Sequence, residues 1–579
     1  MRILSALLSL VIPGAMVCAL AAPPPILPLK DVRAGMKGIG RTVFLGTKIE
    51  NFDVEVLGIL ENMGPKQSLI LARLSGGPLE KTGVMQGMSG SPVYIDGKLI
   101  GAVAMAFQFA KEPIAGIRPI EEMLASAPVR RPEVRASLSD KSLTERLPRI
   151  EQQSDRPVEI GTPLSMGGFS RGTVEQFAPA LRAVGLEPRQ GISAGRAVRP
   201  VPPKPPEPGS MISLQLVNGD MSVGADGTVT MVDGNRLWAF GHRFLSVGNT
   251  ELPFTNASVI TLLANLNTSS KISASGSFLG TITGDFNTAV SGELGRPAKM
   301  AQVRIGLKGA GKTGQYRMEM VQDRILSPLL LQMMCYSVLD GSERTLGASS
   351  VRLSGSIRFE GVTEPITIDN VYSGDFNTPM VASLGAALPV AFALQNTLEP
   401  LRIQNVDLTL EATPEKKQFT IDQVWTEQKE VRPGENISIH VLMTGDGARE
   451  MAKVLQYTVP VGAPAGTWNI TVADGPTTNV GEGRAYNVTQ ARPASQVVSL
   501  LNSMRGQSKA YVRIWRSDAG YTLEGRELPM PPPSVGLILA RTPGAAVNPG
   551  RGSTVAELSF DAGDAPISGA KTITVEVKE

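Results

Sequence analysis

Residues 80–105 read EKTGVMQGMSGSPVYIDGKLIGAVAM, and the rest of the chain is organised around them. At the centre lies Gly87-Met88-Ser89-Gly90-Ser91-Pro92, a small serine inside a glycine-rich turn. Alternating apolar residues follow (Val93, Ile95, then Leu99, Ile100 and Ala102), with Asp96-Gly97 as the reversal between them. This pattern predicts turn, strand, two-residue hairpin, strand. Glycine on either side lets the backbone fold tightly enough for the Ser89 hydroxyl to stand clear. The N–H groups of Gly87 and Ser89 are then placed to converge on a carbonyl oxygen under attack. The competing reading of the same six residues is a Gly/Ser hairpin without chemistry.

The G-x-S-G-x-P pattern is how double-β-barrel serine peptidases present a nucleophile. The longer stretch resembles the SpoIVB peptidase family, the stage IV sporulation serine peptidases. The resemblance rests on GMSGSP, the strand and DGK hairpin after it, LIGAV, and the EPIAGIRPIEEML segment at 112–124. KIENFDVEVL (48–57) and LEKTG (79–83) have counterparts there too. Much of the chain also looks like larger envelope proteins of non-sporulating bacteria that carry the same motifs. The resemblance implies Ser89 as nucleophile and Gly87 and Ser89 as oxyanion hole.

A serine nucleophile needs a base within hydrogen-bond reach, and the chain has two histidines. His440, in NISIHVL, alternates with Ser438 opposite Ile437 and Ile439 and reads as a solvent-facing strand residue. His242 follows an apolar strand in WAFGHRF, where core burial is the bland reading. The family presents its catalytic histidine after such a strand and a glycine, in G-T-V-T-x-x-D/N-G…F/L-G-H. That pattern matches at Gly227–Thr230 and Gly241–His242, so the resemblance implies His242 as general base. Two departures accompany it. The serine part here precedes the histidine part, which predicts permuted halves, one barrel each, joined by the long stretch between Leu124 and Met211. The family's aspartate position, just before LEKTG, is held by Ser75, and Glu80, Asp220 and Asp233 stand as alternatives for the acid.

Gly 61 and Pro 43 are high and aromatics are sparse, which predicts a turn-rich, mostly β protein. A formal net charge of +3 is too balanced to imply nucleic acid. Arg2, the apolar run Ile3–Leu20 and the Ala19-Leu20-Ala21 site predict a signal peptide over 1–21 and export to the periplasm or medium. Val17 argues against lipidation of Cys18. No other membrane-length apolar run is expected, and Cys335, the one cysteine left after cleavage, excludes an intrachain disulfide.

The expected organisation is a serine segment at 30–127, a linker with a short helix (175–185) and Pro-rich spacer at 128–210, and a β-rich histidine segment with a helix at 211–345. A β module at 346–425 and a β-sandwich-like region at 426–579 complete it. The fold class is thus mostly β, a double β-barrel in two sequence segments plus C-terminal sandwich-like modules. Gly306–Thr313 fits the phosphate-loop pattern letter for letter, but the alternation of Tyr316, Met318 and Met320 against Arg317 and Glu319 predicts a hairpin, not the helix such a loop needs. No nucleotide, metal or other cofactor is expected. The expected function is an exported serine endopeptidase acting on protein or peptide substrates, with the C-terminal modules contacting an envelope partner. The alternatives are an inactive envelope structural or binding protein on the same barrels, and a peptidase that acts on itself during maturation.

Overall fold

Short alternating strands broken by glycine close into a barrel in residues 37–119 of this computed structural model. It describes residues 24–125 (without 65, 66 and 108), 137, 140–144, 157–191, 205–341 (without 310 and 311), 346–483, 492–541 (without 519, 524, 525, 530 and 531), 547–550 and 552–579. The expected signal peptide, the basic run in the linker and most of the Pro-rich spacer lie outside these residues.

The first barrel comprises β1 (Lys37–Leu45), β2 (Lys48–Gly64), β3 (Gln67–Ser75), β4 (Pro92–Ile95), β5 (Lys98–Ala106) and β6 (Ile114–Pro119). All pairings are antiparallel, and the order β4-β1-β2-β3-β6-β5 is closed by β4 on β5. One side chain of each alternating pair points inward, so Phe52, Val54, Val56, Ile70, Ala72, Leu74, Val93, Val103 and Ile117 fill the interior. The serine turn lies between β3 and β4, after a short helix α1 (Leu79–Thr82).

The segment expected to be a linker carries β7 (Val158–Glu159), β8 (Thr162–Gly167), a helix α3 (Arg171–Arg182) and β9 (Leu186–Gln190), after a short α2 (Ile120–Leu124). Helix α3 starts earlier than its periodicity suggests because Ser170 caps it, accepting from the Thr173 N–H at 3.1 Å. Strand β8 joins the next sheet by pairing with β11, while β7 pairs with β5 of the first barrel.

A second closed barrel follows. Its strands are β10 (Met211–Gly219), β11 (Ser222–Asp233), β12 (Arg236–Ala239), β13 (Gly248–Leu263), β14 (Ser270–Phe286) and β15 (Ala289–Leu294). The circuit β10-β13-β14-β15-β12-β11 returns to β10, antiparallel throughout. The barrels meet through Tyr94, Leu99, Ala102, Ile120 and Met123 against Met231, Trp238 and Ala289, and through Val43 against Met211, Ala257 and Val259.

The same sheet continues past the barrel into β16 (Ala301–Gly309), β17 (Lys312–Met320), β18 (Leu346–Phe359), β19 (Ile366–Phe376) and β20 (Ile403–Thr413). Gly309 pairs with Lys312 in an antiparallel ladder, so the glycine-lysine stretch is followed by a strand and not by a helix. Two apolar helices, α4 (Leu326–Asp340) and α5 (Thr378–Asn396), belong to the hydrophobic core of this sheet. The module at 346–425 is therefore not purely β. Helix α5 is long and apolar enough to cross a membrane by length and composition, a run the sequence reading passed over. Here Ala382, Ala386, Val390 and Ala393 are buried in the core, and α5 packs on α4. Among the described residues of 419–577, sheets of four and five strands share a core of Trp468, Ile439, Val441, Ile470 and Val512, the expected sandwich, and a separate three-stranded sheet lies within 520–550.

Candidate functional site

The serine turn and the histidine loop meet at the seam between the barrels. Thr228 on β11 donates its N–H to the Ser89 carbonyl at 2.9 Å and its hydroxyl to the Gly87 carbonyl at 2.8 Å. Two residues on, the Thr230 hydroxyl donates to the Gly90 carbonyl at 2.7 Å. Gly90 has φ +92°, and a Cβ there would stand 2.0 Å from the Thr228 oxygen and 2.5 Å from the Phe240 nitrogen. Only glycine lets the turn sit this close to β11 and the end of β12. The turn closes on itself through the Ser91 hydroxyl, which donates to the Met88 carbonyl at 2.6 Å.

Ser89 is fully buried and its Oγ has no hydrogen-bond partner. Neither the Gly87 nor the Ser89 N–H donates to a protein acceptor among the described residues. Two donors and a hydroxyl are thus held together unspent, an unusual state for buried groups.

His242 follows β12 through two left-handed residues, Phe240 (φ 71°) and Gly241 (φ 70°). A bulky residue in that region is an outlier that the surroundings must enforce. The clamp is Asp285 on β14, fully buried, which accepts the N–H groups of Phe244, Leu245 and Val247 at 2.7, 2.8 and 3.0 Å. His242 itself is 2% exposed. Its Nδ1 lies 2.6 Å from the Arg243 carbonyl oxygen. A carbonyl only accepts, so Nδ1 carries the proton and Nε2 holds the free lone pair. Nε2 has no partner. Burial pushes the imidazole below its ordinary pKa, while the charge of Glu159, ion-paired to Arg243 at 3.2 Å, pulls it up.

The three carboxylates considered from the sequence take other places. Glu80 is exposed on α1, Asp220 accepts the Arg317 N–H at 2.8 Å, and Asp233 is exposed in the β11–β12 hairpin. Ser75 ends β3 opposite Asp53 and is exposed. None is bonded to the imidazole, and no hydrogen bond joins Ser89 Oγ to His242 Nε2. His440 stacks on Trp425, ring centroids 5.1 Å apart, in the sandwich.

Three residues near the site escaped the sequence reading: Asp285, Glu159 and Lys271. Lys271 is 1% exposed, its stem lies against Gly87, and its Nζ donates to Thr42 Oγ1 at 2.7 Å. Burial lowers its pKa to about 7. Thr42 Oγ1 in turn lies 3.0 Å from the Ser91 hydroxyl oxygen, so a polar chain runs under the serine turn. A cleft of about 830 Å³ opens beside the site, lined by His242, Gln86, Glu159, Gly161, Arg189 and Ser269 among others. Ser89 does not line it. Among the described residues no cluster of His, Cys, Asp and Glu has a metal-holding arrangement.

Curated proteins and solved structures offer no match to the chain. Residues 19–124, which include the serine turn and all of the first barrel, match the family model of the SpoIVB peptidase S55, and the similarity is to that segment of the chain.

Proposed function

We propose that the protein is an exported serine endopeptidase of the SpoIVB type. The observation that carries the reading is the tautomer of His242, with Nδ1–H spent on the Arg243 carbonyl and Nε2 left free, on a loop packed against the Ser89 turn. Ser89 Oγ attacks the peptide carbonyl as His242 Nε2 takes its proton. The Gly87 and Ser89 N–H groups receive the developing oxyanion. The imidazolium then returns the proton to the leaving amine, and water, activated by the same nitrogen, releases the acyl group. Catalytic Ser–His bonds often tighten only with substrate bound. Because Ser89 is enclosed, opening of the segment around Ser269–Lys271, which bridges to Gln86, precedes attack.

The Arg243 carbonyl orients the ring as an acid would but supplies no full negative charge. The imidazolium that forms during turnover therefore lacks the stabilisation a triad acid gives it, so slow hydrolysis is expected. The N-terminal apolar run with its A-x-A site supports export, to the periplasm or the medium, and the C-terminal sandwich is the part proposed to meet an envelope partner. Enclosure of Ser89 and the missing carboxylate favour a second reading, an inactive binding scaffold on the same barrels.

Labelling of the mature protein with a fluorophosphonate, beside Ser89→Ala and His242→Ala, separates the two. Label on wild type that is lost in both variants is expected. No label on wild type, or label that survives in Ser89→Ala, refutes the peptidase reading.

A further inference from the structure

The cleft beside His242 carries charge of both signs, and part of it is matched by ion pairs. Glu159 pairs with Arg243 at 3.2 Å, Arg182 with Glu187 at 2.9 Å, and Glu112 with Arg73 at 2.8 Å. Arg189, at the end of β9, has no carboxylate within ion-pair distance among the described residues. Its Nη2 donates to Gln86 Oε1 at 2.8 Å and its Nη1 to Ser270 Oγ. A guanidinium has five N–H donors, so three are left without a protein acceptor, among them the enclosed Nε. Partial burial works against the charge; the nearby Glu187 offsets part of this, but its carboxylate is ion-paired to Arg182, whose own charge opposes that of Arg189. Gln86 immediately precedes Gly87. The guanidinium is therefore coupled to the serine turn, in the same cleft as His242.

A structural tie between Gln86 and Ser270 needs two donors and no charge, and a glutamine amide would serve. A planar cation with free donors in an open cleft fits a carboxylate, which it can hold through two parallel hydrogen bonds. Among the described residues Lys81 and Lys111 line the same cleft without ion-pair partners, against Glu80 alone among the unpaired acids, so the unmatched charge there is positive. We propose that Arg189 anchors a carboxylate-binding subsite, selecting peptides with an Asp or Glu side chain, or a free C-terminus, close to the bond presented to Ser89. This specificity rests on the peptidase reading of the cleft, but binding is measured without turnover.

The test uses the full mature chain with Ser89→Ala and fluorescein-labelled hexapeptides in an anisotropy titration. One peptide carries a central Asp and an amidated end, a second Asn at that place with an amidated end, and a third Asn with a free C-terminus. The Asp peptide, the free-carboxylate peptide or both are expected to bind roughly tenfold or more tightly than the neutral one, and whichever gains tells side chain from terminus. Arg189→Gln should erase that difference, and Arg189→Glu should favour a central Lys instead, with melting curves confirming that both variants fold. Equal affinity for all three peptides, no binding of any, or an acid preference that survives in Arg189→Gln overturns the proposal. Failure of fluorophosphonate labelling with the acid preference intact would instead sink the peptidase reading alone.

Discussion

Lys271 offers a perturbation whose size follows from its surroundings. The ammonium is fully buried, its one oxygen partner is the Thr42 hydroxyl, and Met211 Sδ lies 3.6 Å away. No carboxylate pairs with it among the described residues, so burial takes its pKa from 10.5 to about 7. The unfolded chain keeps the ordinary value. Between about pH 7 and 10.5 the unfolded state therefore holds a proton that the folded state lacks, and stability rises with pH by about 1.4 kcal/mol per unit. Below about pH 7 both states are charged and the penalty levels off, at roughly 5 kcal/mol for a shift of this size. Lys271→Met keeps the length and apolar stem and removes the charge, while Thr42 keeps its bond to Ser91. Less about 1 kcal/mol for the lost hydrogen bond, the variant should be more stable than wild type by about 4 kcal/mol at pH 6. The advantage should fall to about 1 kcal/mol by pH 9. Thermal melts of both proteins from pH 6 to 9.5, read as the difference between them, cancel the other titrating groups. A difference independent of pH, or a variant less stable than wild type at pH 6, refutes the account of an unpaired buried lysine.

Gly90→Ala places a methyl 2.0 Å from the Thr228 oxygen at a φ that disfavours side chains, so it should part the barrels. We expect a loss of about 3 kcal/mol or more by denaturant titration, with fluorophosphonate labelling abolished. Asp285→Ala frees three buried N–H groups behind His242. It should slow labelling of Ser89 by far more than it lowers the melting temperature, and unchanged labelling kinetics would remove Asp285 as the positioning residue of the loop. Glu159→Gln takes away the charge that raises the His242 pKa, so the acid limb of the labelling-rate profile should move to lower pH. Cys335 is fully buried in α4 with its thiol pushed up to about 12. It should resist iodoacetamide in the native protein at pH 8 and react on unfolding, and rapid native alkylation would contradict that burial.

Much of this architecture follows from local pattern. The G-M-S-G-S-P turn, the Asp96-Gly97 hairpin and the period-two alternation of 37–119 and 211–294 specify strands and reversals, because side-chain alternation and glycine geometry act over a few residues. The same alternation distinguishes the antiparallel pair at Gly309 and Lys312 from a phosphate loop, and it exposes the faces of Ile437 and Ile439 that form the sandwich core. Gly-His after an apolar strand was likewise legible as a candidate base.

What the tertiary structure alone decides lies where distant segments cover one another. K-I-S-A-S at 271–275 reads as a half-exposed strand, and only the fold of β14 over the serine turn buries Lys271 against Gly87. Asp285 and Glu159 carry no local mark, since a carboxylate that binds backbone N–H groups forty residues away looks like any other acid in a turn. Helix α5 was missed because its run of Ala, Leu and Val has no polar face. An all-round apolar helix shows no period, and its meaning appears only when α4 and the sheet surround it. Sequence supplied the serine and the histidine by their turns. The packing of their two turns and the enclosure of Ser89 arise from two closed barrels meeting edge to edge, a contact between residues 140 and more apart that no local pattern encodes.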